Sequence, residues 1–222
     1  MSRGDFDTIL SKLPQDCEAH FSGFSEPFLH RDAAEMMALA ASLGHEVHLY
    51  TTLMGLNARQ AEHLAKAKLA CVRLHVPDTV GLKVRTDIWL RQLDLFLTTG
   101  HPFTCMAMGP LDPQLQFVLS NRGINVELPE MLSRAGNLWQ PPHTRVVAGQ
   151  PMRCTMSRWH SNVVLPNGDV YGCCMDYGLT VPLGNLLAQS YEDIYAAGEQ
   201  WRLNTEPAAA GICATCEWAA AA

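Results

Sequence analysis

The chain has 222 residues, is 48% hydrophobic and carries a formal net charge of -6. That length and composition suit one large domain, or one domain with a small appendage. The acidic balance, with no Lys/Arg cluster, argues against nucleic acid as a partner, because phosphates need a basic face. No apolar run is long enough to span a bilayer, which argues against a membrane role.

The opening MSRGDFDTILSKLP interrupts its apolar pattern with charges, so it is no secretory signal. A cytoplasmic location is expected. In a reducing compartment, eight cysteines point to metal binding or reactivity rather than to disulfides. Phe6, Ile9, Leu10 and Leu13 have helical spacing, and Pro14 stops the run. Ala19 to Ser22 reads as a strand leading into the turn-rich Gly23-Phe24-Ser25-Glu26-Pro27. Asp32 with Glu35 suggests a capping box for a helix through Met36, Met37, Leu39 and Leu43, ended by Gly44. Val47 to Thr51 is the next strand. Asn57 and Gln60 open a helix through Leu64 and Leu69, and Cys71 to Val76 is a third strand. A helix across Ile88 to Phe96, a strand at 103–108, a helix at 113–119 and a strand at 124–128 complete the series. Strands alternating with helices at this pitch predict a parallel sheet of the α/β class, with ligands beyond the carboxyl ends of the strands. The series opens with a helix that has no strand before it, so the sheet is expected to lack its first strand. A partner chain could cover the open edge this would leave.

The texture changes after Glu130. Residues 133–151 are rich in Gly, Pro and polar residues and read as a linker. Beyond it, 162–165 and 170–171 flank Pro166-Asn167-Gly168-Asp169 as a β-hairpin. Ser190 to Leu203 is a helix, with Ser190 and Asp193 as a capping box. Cys154, Cys173 with Cys174 beside it, and the pair Cys213 and Cys216 supply four or five thiols from separated segments. Four thiolates can hold one 4Fe–4S cluster. The alternatives are a tetrahedral zinc site, which more often uses two close pairs, or unliganded thiols. Cys174 either packs as a small hydrophobe or substitutes for Cys173. Cys17, Cys71 and Cys105, like Met36, Met37, Met106 and Met108, read as packing residues. Trp159, Trp201 and Trp218 are expected to pack the small domain, and Asp176 is a candidate hydrogen-bond acceptor beside the thiols.

These features resemble the radical SAM enzymes that carry a C-terminal SPASM domain, over nearly the whole chain. The cysteine, the hairpin glycine, the second cysteine, the Gly184-Asn185-Leu186 segment, the helix and the closing CxxC follow the SPASM order. The resemblance implies a partial (β/α) barrel over 1–139 and a small cysteine-rich α+β cluster domain over 140–222. It also implies an auxiliary 4Fe–4S cluster on Cys154, Cys173, Cys213 and Cys216, and S-adenosylmethionine as a further cofactor. Gly23 and Glu26 lie in FSGFSEP, which is similar to the family's Gly-Glu-Pro motif, with Ser25 replacing a glycine. Glu26 would then bind the amino group of S-adenosylmethionine. Thr52 lies in TTLMG where the family often shows Thr-Asn-Gly, His75 falls in a region that contacts the nucleoside, and Arg134 would reach the cofactor carboxylate. From the residues alone, Glu26 could equally be a loop acid or helix cap, and His75 a satisfied strand histidine.

The family's CxxxCxxC, which holds the cluster that cleaves S-adenosylmethionine, occurs nowhere in these residues. It belongs after the first strand, so periodicity and resemblance agree in expecting a chain that starts one strand and loop late. The resemblance implies radical modification of a peptide, protein or small-molecule substrate, with an electron donor as partner. The other expectation is a non-catalytic iron–sulfur or zinc module that presents substrate or relays electrons.

Overall fold

The computed structural model describes residues 1–138, 146 and 148–222. Most of the expected linker's Pro-rich centre, and the expected boundary at 139/140, lie outside the described residues. In chain order the elements are α1 (Arg3–Leu10), β1 (Ala19–Phe21), α2 (Ala33–Ser42), β2 (Val47–Thr51), α3 (Ala58–Leu64), β3 (Cys71–His75), α4 (Thr86–Leu97), β4 (Thr104–Met106), α5 (Pro113–Asn121) and β5 (Val126–Glu127). There follow β6 (Met152–Cys154), β7 (Val163–Val164), β8 (Asp169–Tyr171), β9 (Pro182–Asn185), α6 (Tyr191–Thr205) and β10 (Ala219–Ala221). They form two compact units: Pro14–Met131, and Met1–Leu13 together with Leu132–Ala222.

In the Pro14–Met131 unit, β1 to β5 make one five-stranded sheet in sequence order, every pair parallel. The α/β class and the strand–helix alternation read from the sequence are therefore present. Alternation along each strand sorts the side chains. Val47, Leu49, Val72 and Leu74 are buried with Met37, Leu64, Trp89, Leu93 and Phe96 of the helices. His48, Tyr50, Arg73 and His75 alternate with them and are only half-buried. The capping at α2 differs from expectation. Asp32 stands at the N-cap but makes no capping bond. Its carboxylate accepts from Arg31 instead, and Glu35 pairs with Arg59 at 2.5 Å and with His63 at 3.3 Å. Nearby cations took both members of the expected box. Asn57 does cap α3, accepting from the Gln60 backbone, while the Gln60 side chain bonds the His30 carbonyl.

In the other unit, β7, β8 and β9 form an antiparallel sheet, and β6 pairs antiparallel with β10. The hairpin and the Ser190–Asp193 box on α6 are formed as expected. Strands β6, β9 and β10 were not expected. They are three or four residues long, too short for a period-2 signal. Helix α1, assigned to the barrel on sequence, packs here instead. Its Ile9 shares a core with Val170, Leu186 and Ile194, and Lys12 Nζ bonds the carbonyls of Leu186 and Gln189. Its own Ser2–Asp5 capping box starts it.

Two glycines are required by close approach. Gly55 has φ +92°, and a Cβ there would lie 2.5 Å from the Phe28 carbonyl oxygen. Gly168 in the hairpin has φ +86°, and its Cβ would meet Leu187 at 2.8 Å. We expect Gly55→Ala to destabilise the chain by about 2 kcal/mol through backbone strain and the forced separation of two loops. Denaturant unfolding measures it, and an unchanged midpoint would contradict the packing described.

Candidate functional site

The carboxyl ends of β1 to β4 are tied by two carboxylates. Glu26, just before the 3-10 turn Pro27–Leu29, accepts four hydrogen bonds. Oε1 takes the Phe28 N–H at 3.1 Å and the Thr51 hydroxyl at 2.6 Å; Oε2 takes the Thr52 N–H and hydroxyl, both at 2.6 Å. An ionised carboxylate has about four acceptor positions, so these donors fill it. Asp78, beyond β3, accepts from the backbone of Val80 at 2.7 Å, of Met108 at 2.9 Å and of Gly81. Burial works against its charge, but these N–H bonds, with one from Leu82, hold its carboxyl below the usual range.

The structure thus brings Glu26 and Thr52 into direct contact. Gly23, at φ +99°, turns the chain between β1 and Glu26. His75 closes β3 opposite Met106, and its carbonyl accepts from the Trp89 indole at 3.2 Å. Arg134 belongs to the other unit. Its guanidinium lies 5.1 Å from the Tyr177 ring centre and 3.7 Å from Met175 Sδ.

The cysteines form the second centre. Cys154 ends β6, directly opposite Ala219 on β10. This pairing brings the chain end beside Cys154, and the 3-10 turn Gly211–Thr215 carries Cys213 to the same place. The residues around Cys216 are clamped. The Thr215 hydroxyl donates to the Ala135 carbonyl at 2.6 Å, and the Glu217 carboxylate accepts from the backbone of Ser133 and of Ala135. Burial opposes the Glu217 charge, but a hydrogen bond with the Ser133 side chain, and then these backbone donors, keep its carboxyl below the usual range. Cys173 follows β8. Buried Asp176 accepts from the backbone of Thr180 at 2.7 Å and Val181 at 2.8 Å, which fixes the turn after Cys173 to the segment leading into β9. The absence of a side chain at Gly172 matters, because a Cβ would lie 2.9 Å from the Trp201 ring.

Cys154, Cys173, Cys213 and Cys216 all line one pocket. Met152, Trp159, Met175, Trp201, Ile212 and Trp218 complete most of an apolar wall. Cys174 is not part of that lining. Two backbone N–H groups already point at sulfurs: Arg158 to Cys154 Sγ and Met175 to Cys173 Sγ, both at 3.4 Å. Such bonds tune iron–sulfur centres. Arg158 adds a guanidinium 5.3 Å from the Trp218 ring centre.

The apolar setting disfavours free thiolates. Burial pushes Cys213 up to about 12 and raises Cys216. Cys173 is raised first by its hydrogen bond to Cys174 and then by burial. That same bond, helped by Arg158 and Arg134, lowers Cys174 to about 6 despite its burial. Four thiols facing one pocket, Cys173 and Cys213 buried and Cys154 and Cys216 half-buried, suit a group whose positive charge replaces their protons. The spacing bears on which group. Around one zinc ion, Zn–S bonds of about 2.3 Å place tetrahedral sulfurs about 3.8 Å apart. Among the described residues, no three of these sulfurs lie within 4.8 Å of one another. The residues present therefore fit a larger polynuclear cluster better than a single ion.

Residues 154–217 match the model of SPASM, an iron–sulfur cluster-binding domain. That match bears out the SPASM order of the cysteines over these residues. In three dimensions the chain resembles BtrN in complex with AdoMet and 2-DOIA, with a TM-score of 0.64 at 16% identity, covering 99% of this chain and 80% of that one. It also resembles anSMEcpe with bound AdoMet (TM-score 0.55, 15% identity, 98% and 78% covered). A further anSMEcpe structure, with AdoMet and the Kp18Cys peptide, gives 0.56 at 14% identity, with the same coverage. At these identities the likeness shows the fold. No curated protein matches the chain in sequence.

Arg158, Glu217 and Asp78 were not singled out on sequence. Glu217 could have been suspected from its place beside the CxxC; nothing in periodicity marks the other two. We expect Cys154→Ala and Cys216→Ala each to lose the visible absorbance of an anaerobically reconstituted cluster and to lower the melting temperature, because bound metal contributes to folding. Unchanged absorbance and melting in both would reject this ligand set.

Proposed function

We propose that this chain is a radical SAM/SPASM-type protein whose C-terminal unit holds an auxiliary 4Fe–4S cluster on Cys154, Cys173, Cys213 and Cys216. The observation that carries this reading is the convergence of those four cysteines, and not Cys174, on one apolar cavity within the SPASM-matching stretch. Bound there, a cluster supplies electron transfer or rigidity, since four cysteines leave no iron open to substrate. Arg158 would offset part of its negative charge, and Trp159, Trp201 and Trp218 would exclude water.

S-adenosylmethionine is the second proposed ligand, at the strand ends of the Pro14–Met131 unit, near Gly23, Glu26, Thr52 and His75. Glu26 organises that region by holding the end of β2. A ligand amino group would reach its carboxylate only by displacing one of four present donors. For Arg134, which belongs to the other unit, a role toward the cofactor carboxylate rests on the family resemblance alone. Substrates proposed by analogy are a peptide, a protein or a small molecule, with an electron donor as partner. One solved neighbour holds 2-DOIA and another a peptide. All eight cysteines are free thiols, in keeping with a cytoplasmic site of action, and among the described residues no helix is long and apolar enough to cross a membrane.

These 222 residues contain no CxxxCxxC. With its cluster reconstituted, the chain is expected to bind S-adenosylmethionine in equilibrium dialysis but to release no 5′-deoxyadenosine above background under reducing conditions. Abundant 5′-deoxyadenosine would overturn the second expectation. No binding would remove the cofactor assignment and leave a non-catalytic cluster module.

A further inference from the structure

A cluster of metal-binding side chains lies outside both centres. On the half-exposed face of the parallel sheet, His20 of β1 stands in register with His48 of β2. Their rings stack with centroids 4.4 Å apart and planes within 6°. The Glu18 carboxylate lies 2.7 Å from His20 Nε2, and the Glu46 carboxylate 3.0 Å from His48 Nε2. One donor atom each from Glu18, His20 and His48 falls within a 4.8 Å group, the one such triad among the described residues. Arg73, on the same face two strands along, points toward Glu127 at 3.6 Å and the Thr104 hydroxyl at 3.3 Å. Its charge is thereby engaged on the far side of the sheet.

We propose that Glu18, His20 and His48 form a binding site for a divalent transition-metal ion. Two imidazoles and a carboxylate suit Zn²⁺, Co²⁺ or Ni²⁺, whereas Mg²⁺ and Ca²⁺ prefer all-oxygen sets. Metal bonds of about 2.0–2.1 Å need the donors somewhat closer than they are now. Glu18 and His20 are exposed enough to close by side-chain rotation, with side-chain exposures of 57% and 36%. Register fixes the two histidines without any loop, because parallel pairing sets His20 beside His48. Glu46 adds negative charge from the second strand.

The site is separable from the cysteines by ligand chemistry. Cluster-loaded chain is dialysed anaerobically against Ni²⁺ and analysed for nickel and iron. The expected result is one nickel per chain beyond the irons, with a nickel X-ray absorption spectrum of nitrogen and oxygen ligands and no sulfur. His20→Gln and His48→Gln should each lose that nickel with iron content and circular dichroism unchanged. Glu18→Gln should weaken it, and His63→Gln should retain it. No bound nickel, sulfur ligation in the spectrum of the unmodified chain, or full binding in both histidine variants would overturn the proposal, and the two coordinated hydrogen-bonded pairs would then be structural only.

Discussion

The C-terminal unit is organised by the need to bring four thiols from distant segments to one apolar cavity. Antiparallel pairing of β6 with β10 sets Ala219 opposite Cys154, so the residues just before β10 cannot lie elsewhere. Glu217 and Thr215 then bind the 133–135 turn from either side of Cys216. Gly172 allows Trp201 to close over the approach to Cys173. Each device positions sulfur, and each places it where a thiolate without a compensating cation is unfavourable. The raised positions of Cys173, Cys213 and Cys216 express that conflict. A bound cluster resolves it, which is why metal loading and folding of this unit should be linked.

The Pro14–Met131 unit solves a different problem. A parallel sheet directs its strand ends into loops, and these loops must be held without strands of their own. Glu26 and Asp78 do this by collecting backbone N–H groups from neighbouring loops. Such carboxylates favour a fixed loop geometry, because each lost donor would be left without a partner. The strand-end region is therefore preorganised by its own residues before any ligand arrives.

Much of this was legible in the sequence because long signals survive local competition. The strand–helix alternation, the helix at 190–203 with its Ser190 cap, and the hairpin around Gly168 all rest on periodicity or turn chemistry that the fold does not override. The order of the cysteines was equally legible, since ligand positions leave fixed residue types behind, and residues 154–217 match SPASM. What stayed hidden depends on tertiary neighbours. Asp32 and Glu35 carry a capping pattern, yet Arg31, Arg59 and His63 compete for their carboxylates. Helix α1 has the spacing of a barrel helix, but its Ile9 and Lys12 find partners near Leu186. Glu26 looked like a ligand-binding acid; its bonds to Thr51 and Thr52 could not be read from spacing. Strands as short as β6 and β10 exist only because each finds the other.

The central claim is that the cysteine cavity holds a polynuclear cluster and not a single metal ion. The most direct test is metal and sulfide analysis of the chain after anaerobic reconstitution and removal of loosely bound metal. The account predicts about four irons and four acid-labile sulfides per chain, with a broad visible absorbance that reduction bleaches. One zinc per chain with no sulfide, and a thermal transition unaffected by iron, would contradict it.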